Sequence, residues 1–93
     1  MPKEMRFTCR LDVVSFSVLL MMQREAGGSR ADVLRRLIKK GELAPTGSVA
    51  ALTRSASFRL TSLERAELNV MARHHGLEPA ELVRRMLRAN AQR

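Results

Sequence analysis

CRLDVVSFSVLLMMQREAGGSRADVLRRLIKK (residues 9–40) and FRLTSLERAELNVMARHHGLEPAELVRRMLRA (residues 58–89) align without a gap at an offset of 49. Nine of these 32 positions are identical: Arg10/Arg59, Leu11/Leu60, Leu19/Leu68, Met22/Met71, Arg24/Arg73, Gly27/Gly76, Ala31/Ala80, Arg35/Arg84 and Arg36/Arg85. Others exchange like for like, as Asp32/Glu81, Val33/Leu82, Leu37/Met86 and Lys39/Arg88. A unit of roughly 45 residues is too small to enclose a core, because so short a chain buries too little of its surface. Two copies in one chain can bury each other's apolar faces. The repetition therefore predicts a fused dimer: one domain over 1–93, with a first copy at 5–41, a linker at 42–54 and a second copy at 55–93.

Each copy reads as three parts. The first is a strand, at 6–11 and at 55–60. Phe7, Cys9 and Leu11 alternate with Arg6, Thr8 and Arg10, and Ala56, Phe58 and Leu60 alternate with Ser55, Ser57 and Arg59. Such alternation marks a half-buried strand. The second part is a helix, at 13–26 and 62–75. Asp12 suits the N-cap of the first, and Thr61 or Ser62 that of the second. Leu63, Leu68, Met71 and Ala72 fall near one helical face. Gly27 and Gly76 then stand where a helix ends in a left-handed residue. The third part is a helix at 30–41 and 79–91. Ser29 and Asp32 form an S-x-x-D capping box, and Pro79 suits a first turn, where its missing N–H costs nothing. Val33, Leu34, Leu37 and Ile38 match Leu82, Val83, Met86 and Leu87 as apolar pairs four apart, while Arg35, Arg36, Lys39 and Lys40 occupy the other face. Between the copies, residues 41–54 (GELAPTGSVAALTR) break structure with Gly, Pro and Ser. Fourteen residues reach at most about 46 Å, against helices about 20 Å long, so the linker can return the chain to pair its two strands.

Composition narrows the partners. Seventeen basic against nine acidic side chains give a net charge of +8, which favours a polyanion through steering and counterion release. The single cysteine, Cys9, cannot form an internal disulfide, so a reducing cytoplasm is expected; as a small hydrophobe it belongs in the core. The apolar run Val13–Met22 is about half of a membrane span. Polar Gln23-Arg24-Glu25 follows it without a small-x-small cleavage site, so it reads as a core helix and no membrane partner is expected. His74 and His75 are adjacent and cannot share a ligand face as i, i+4 partners do, so no metal is expected. No nucleophile–base–orienter set and no Gly-rich phosphate loop occurs; neither catalysis, a cofactor nor a small-molecule substrate is expected.

The first copy's R-F-T-C-R-L-D with E-A-G-G-S-R-A-D-V-L-R-R-L-I, and the second's S-F-R-L-T with H-H-G-L-E-P-A-E-L-V-R-R-M-L, resemble the ribbon-helix-helix DNA-binding family (MetJ/Arc/CopG type). The tandem arrangement is similar to the TraY-type accessory proteins of plasmid relaxosomes. The resemblance implies a mostly α fold with a two-stranded antiparallel β-ribbon, two tandem repeats forming one pseudo-symmetric intramolecular dimer. It also implies that the ribbon enters the major groove of duplex DNA, that its outward side chains read bases, and that the start of each second helix holds a phosphate.

These residues suit those roles. A ribbon fits the major groove, where base pairs are distinguishable. Arg6, Arg10 and Arg59 carry planar forks matched to guanine, and Thr8, Ser55 and Ser57 are short donors or acceptors. The helix starts at Ser29-Arg30 and at Glu78-Pro79 would offer backbone N–H groups to phosphate, more weakly at Glu78, whose charge is negative and whose neighbour lacks a donor. Arg-Thr-Arg against Ser-Ser-Arg predicts an asymmetric site. The first helix is apolar on nearly every side, where its counterpart carries Glu64, Arg65, Glu67 and Asn69. Two expectations follow. Either the segment Val49–Leu52 covers it, or Phe16, Leu20 and Met21 form a protein interface with a second copy on DNA, a relaxase or another protein. The expected function is a repressor, an autoregulator or a relaxosome accessory protein. The alternatives are an antitoxin that docks its toxin on the first helix, and a helix-turn-helix regulator reading DNA through Ser29–Lys40.

Overall fold

The strictly alternating segments form two eight-residue strands, β1 (Glu4–Leu11) and β2 (Arg54–Thr61). They pair antiparallel in a computed structural model that describes residues 4–45 and 51–91. The register runs from Glu4↔Thr61 through Thr8↔Ser57 to Leu11↔Arg54. Both strands outrun the expected 6–11 and 55–60, because main-chain pairing continues where side-chain alternation has ended. Four helices complete the chain order β1, α1 (Val13–Ala26), α2 (Arg30–Lys40), β2, α3 (Ser62–His74) and α4 (Pro79–Ala91). The molecule is mostly helical around a two-stranded antiparallel sheet.

Local chemistry sets the helix ends. Asp12 caps α1, accepting from the Ser15 amide at 3.4 Å and from the Ser15 hydroxyl at 2.6 Å. Ser29 and Asp32 exchange the two bonds of a capping box at the start of α2, and Thr61 and Glu64 do the same for α3. Gly27 ends α1 at φ 65°, its amide donating to the Gln23 carbonyl, in a conformation that a Cβ would strain. Two helices are one residue shorter than expected. Gly41 is the left-handed cap of α2, not its last residue, and His75 is the cap of α3.

The inner face of the ribbon buries Phe7, Cys9, Leu11, Ala56, Phe58 and Leu60, with the Phe7 and Phe58 ring centroids 6.1 Å apart. Val33, Leu34 and Leu37 of α2 and Leu82, Val83, Met86 and Leu87 of α4 seal this layer, joined by Leu19 of α1 and Leu68 of α3. Leu63 does not join them: it is 69% exposed. Five residues turn a helix by about 500°, so Leu63 points away from the face that Leu68 presents. On α1 only Ser15, Val18 and Leu19 are buried. Val13, Val14, Leu20 and Met21 remain 56%, 45%, 43% and 46% exposed. The expected cover, Val49–Leu52, lies partly outside the described residues; within them Ala51 is exposed and Leu52 half-buried.

Long-range polar contacts brace the helices. The Arg88 guanidinium of α4 donates to the Asp12 carboxylate at 2.6 Å, and Arg84 donates to the Arg10 carbonyl of β1 at 2.8 Å. Arg35 of α2 pairs with Glu64 at the start of α3. Lys40 donates to the buried Asn90 at 3.1 Å, and Asn90 to the Met86 carbonyl at 3.0 Å. Each brace joins one half of the chain to the other or anchors such a joint.

Asp12 combines a cap with a fully buried carboxylate whose partner reaches across the chain. Asp12→Ala should therefore cost about 3 kcal/mol in urea unfolding, since it strands the Arg88 charge as well as uncapping α1. Ser29→Ala, which removes a solvent-exposed cap, should cost only about 1 kcal/mol.

Candidate nucleic-acid interface

Antiparallel pairing turns the alternation of the two strands into three facing pairs. Arg6 stands opposite Arg59, Thr8 opposite Ser57 and Arg10 opposite Ser55. All six side chains are exposed, because helices occupy the other face of the sheet. The Thr8 and Ser57 hydroxyl oxygens lie 2.9 Å apart in a hydrogen bond at the centre of the ribbon. Placing Arg6 directly against Arg59 sets like charges side by side, which disfavours the pairing. None of the three pairs contains an acid. This face thus concentrates donors and positive charge along a ribbon about 26 Å long.

The two helix starts differ. At Ser29 the hydroxyl accepts from the Asp32 amide and the carbonyl from the Val33 amide. The capping box also brings the Asp32 carboxylate to this end, where Arg35 binds it at 2.6 Å. Arg30 begins the helix, half-buried. A groove of about 440 Å³ separates this start from the ribbon, lined by Ser29, Arg30, Arg35, Ser57 and Arg59. At Glu78 the carbonyl accepts from the Leu82 amide at 2.9 Å and the side chain is exposed. The groove there is lined by Arg73, Gly76, Glu78 and Pro79 among others, an acid and an imino acid in the places of Ser29 and Arg30.

The three residues expected at a protein interface separate. Leu20 and Met21 are exposed, but Phe16 is half-buried against the core. Around the helix Phe16 lies about 40° from Leu20 and about 140° from Met21, on the core side of Leu20, and its ring also meets Arg30 and Arg54. Arg54 belongs to β2, not to the linker. Alternation could not place it, since it shares the inner-face parity of Ala56 yet is exposed at the strand's start. The T-x-x-E spacing of Thr61 and Glu64 is a local signal for this capping box, missed when Thr61 is read as a cap alone, and no local signal names Glu64's partner Arg35.

Ionisation follows from these contacts. Burial pushes the Asp12 carboxyl up, but hydrogen bonds from the Ser15 hydroxyl, Arg88 and the Ser15 amide outweigh it and hold the group below the usual carboxylate value. Arg35 and then the Thr61 amide bring Glu64 down to about 2. Burial pushes the Cys9 thiol up to about 11, against a smaller opposing pull from Arg84, so Cys9 remains a neutral core residue. Among the described residues no group of three or more His, Cys, Asp or Glu is placed to hold a metal ion. No helix among them is long and apolar enough to cross a membrane. No family model, curated protein or solved structure matches the chain.

Because Glu64 ionises more readily when folded, its contribution is fully present above its ordinary value of 4.5 and is lost as pH falls towards 2. Unfolding free energy should therefore decline across that interval. Glu64→Gln should be less stable than the parent at pH 7, with the difference shrinking steadily down to pH 2 in urea titrations.

Proposed function

We propose that this protein binds duplex DNA sequence-specifically, without enzymatic activity, by laying the β1–β2 ribbon into the major groove. The observation that carries the reading is the outward face itself. Three facing pairs of arginines and hydroxyls, free of acids, stand on a sheet whose other side is sealed. An α-helix or a two-stranded ribbon fits the major groove, and arginine forks match guanine O6 and N7. The net charge of +8 supplies the sequence-independent attraction. In this reading the chain is a tandem ribbon-helix-helix protein, acting as a repressor, an autoregulator or a relaxosome accessory factor in the cytoplasm.

The register supports the fused-dimer part of the reading. At the offset of 49, Thr8 and Ser57 are counterparts, and they face each other. Arg6 faces Arg59, the counterpart of Arg10, and Arg10 faces Ser55, the counterpart of Arg6. A twofold axis through the central Thr8–Ser57 pair would generate this arrangement. Under that axis Arg10 matches Arg59 and the two hydroxyls match, so the reading face departs from symmetry in kind at one position, Arg6 against Ser55. The preferred site is then a near-palindrome broken at one end.

A helix-turn-helix mode would place the exposed side of α2 in the groove. It assigns no task to the ribbon face, and Arg35 on that helix is already engaged by Asp32 and Glu64.

Selection from a random duplex library, followed by anisotropy titration of single-base variants, tests the proposal. Arg10→Ala should relax discrimination at one base pair by about 1–3 kcal/mol, while Arg36→Ala should not. Arg6→Ser should convert the enriched motif into a palindrome. Absence of any enriched motif, or loss of discrimination in Arg36→Ala alone, would overturn the ribbon reading.

A further inference from the structure

The two halves of the chain meet through unlike partners. On the inner face Phe7 pairs with Phe58, and Cys9 pairs with Ala56. Two rings, their centroids 6.1 Å apart, thus lie on one side of the central Thr8–Ser57 pair, and two small side chains lie on the other. At the offset of 49, however, Phe7 corresponds to Ala56 and Cys9 to Phe58. Two first copies paired in this register would set Phe7 against Cys9 on both sides, and two second copies would set Ala56 against Phe58. Neither rebuilds the ring pair or the small pair on which the helices pack, and volume misplaced in a close-packed layer is costly.

The polar braces are unlike in the same sense. Asp12, fully buried, takes Arg88 from across the chain, Glu64 takes Arg35, and Asn90 takes Lys40. The counterparts of Arg88, Glu64 and Asn90 are Lys39, Ser15 and Gly41, and those of Asp12, Arg35 and Lys40 are Thr61, Arg84 and Ala89. Two first copies would face Arg35 with Ser15 and Lys40 with Gly41, keeping only an Asp12–Lys39 pair. Two second copies would face Arg88 with Thr61 and Asn90 with Ala89, keeping only a Glu64–Arg84 pair. Each like-with-like pairing therefore forfeits two of the three braces. A desolvated charge that loses its partner is strongly unfavourable.

We propose that the contact surface of each half recognises the other half and rejects a second copy of itself, an assignment that rests on the fused-dimer part of the reading above. Specificity of this kind is a difference between two pairings, and groups left unpaired in the wrong one supply it as much as contacts in the right one. The partner that each surface fits is the complementary repeat, in the same chain or in another molecule of it. The connecting segment raises the effective concentration of that partner; the choice between partners lies in the surfaces. The outward face inherits the result, since only unlike pairing sets Arg6, Thr8 and Arg10 against Arg59, Ser57 and Ser55. Chains that meet do not form ribbons with two identical strands.

Cutting the connection, with both halves kept in one solution, tests this. A protease site placed within residues 46–50 is cleaved in the folded protein, the product is unfolded in urea and refolded, and native mass spectrometry counts the pairs by their masses. Unlike pairs should outnumber like pairs by at least about tenfold, against parity for indifferent surfaces. Two variants weaken the discrimination. Ala56→Phe with Phe58→Ala moves the ring to the place that Phe7 holds in the first copy, and Glu64→Ser with Arg88→Lys gives the second copy the first copy's residues. Each should raise the share of like pairs at least about threefold. Parity in the cut wild type would overturn the recognition and leave the fused-dimer reading standing, because like pairs require interchangeable halves. Unlike pairs alone in the wild type and in both variants would overturn both, because such halves are not copies of one dimerising unit. Recovery of no pairs from the cut wild type would overturn the recognition, by placing the choice in the connection.

Discussion

The pairing of β1 with β2 is the constraint on which the rest of the molecule depends. The two strands are far apart in the chain, with α1, α2 and the connecting segment between them. A two-stranded ribbon alone is marginal in water. It persists here because Phe7, Cys9, Leu11, Ala56, Phe58 and Leu60 are buried beneath the helices. The braces then work at a distance from the sheet: Arg88 on Asp12 and Arg35 on Glu64 hold the helix starts that directly follow each strand. With one face of the ribbon committed to the core, its other face is released from any packing role. Arg6, Thr8, Arg10, Ser55, Ser57 and Arg59 are therefore free of the volume and polarity constraints that bind the inner face.

The arginines divide along the same line. Arg35, Arg84, Arg85 and Arg88 each meet a carboxylate, from Asp32, Glu64, Glu81 or Asp12. These pairs lie on the helices and at the strand–helix junctions, and they consume a large share of the chain's nine acids. The guanidiniums of Arg6, Arg10, Arg59, Arg30 and Arg54 have no such partner among the described residues. Arg24, Arg36, Lys39 and Arg73 also lack a carboxylate partner among the described residues. The ribbon face differs in carrying three arginines and no acid among its six outward side chains, so its positive charge is uncompensated locally.

What the sequence disclosed depended on range. Strand parity was legible because alternation is a two-residue property, and Phe7 or Ser57 sits on the face that its neighbours imply. Helix starts at Asp12, Ser29 and Thr61 were legible because a cap and its partner lie within three residues. Contacts between distant segments were not. Nothing near Asp12 announces Arg88, and nothing near Phe16 announces Arg54. A helix as uniformly apolar as α1 does not declare which side will be covered, and the fold packs Phe16 against the core while Leu20 and Met21 stay exposed. For the candidate site, the six outward side chains followed from parity, while the arginine pair on Phe16 required the strand to begin at Arg54.

Joining two copies in one chain removes a restriction that a homodimer cannot escape. In a homodimer any change on one strand appears on the other, so a new charge on the reading face arrives twice and a lost helix cap is lost twice. Here Arg6 stands where the second copy has Ser55, and the group Phe16, Arg30 and Arg54 stands where it has Arg65, Pro79 and Met5. In the fused-dimer reading these differences fall on the outward face and its flank, whereas core counterparts such as Leu11/Leu60, Leu19/Leu68 and Val33/Leu82 stay apolar. Buried strand counterparts keep their apolar character while exchanging volume, as Phe7 with Ala56 and Cys9 with Phe58, so the core constrains polarity more strictly than size. The surface carries no such constraint. Divergence concentrated there is what would let a nearly symmetric ribbon distinguish the two directions along a duplex.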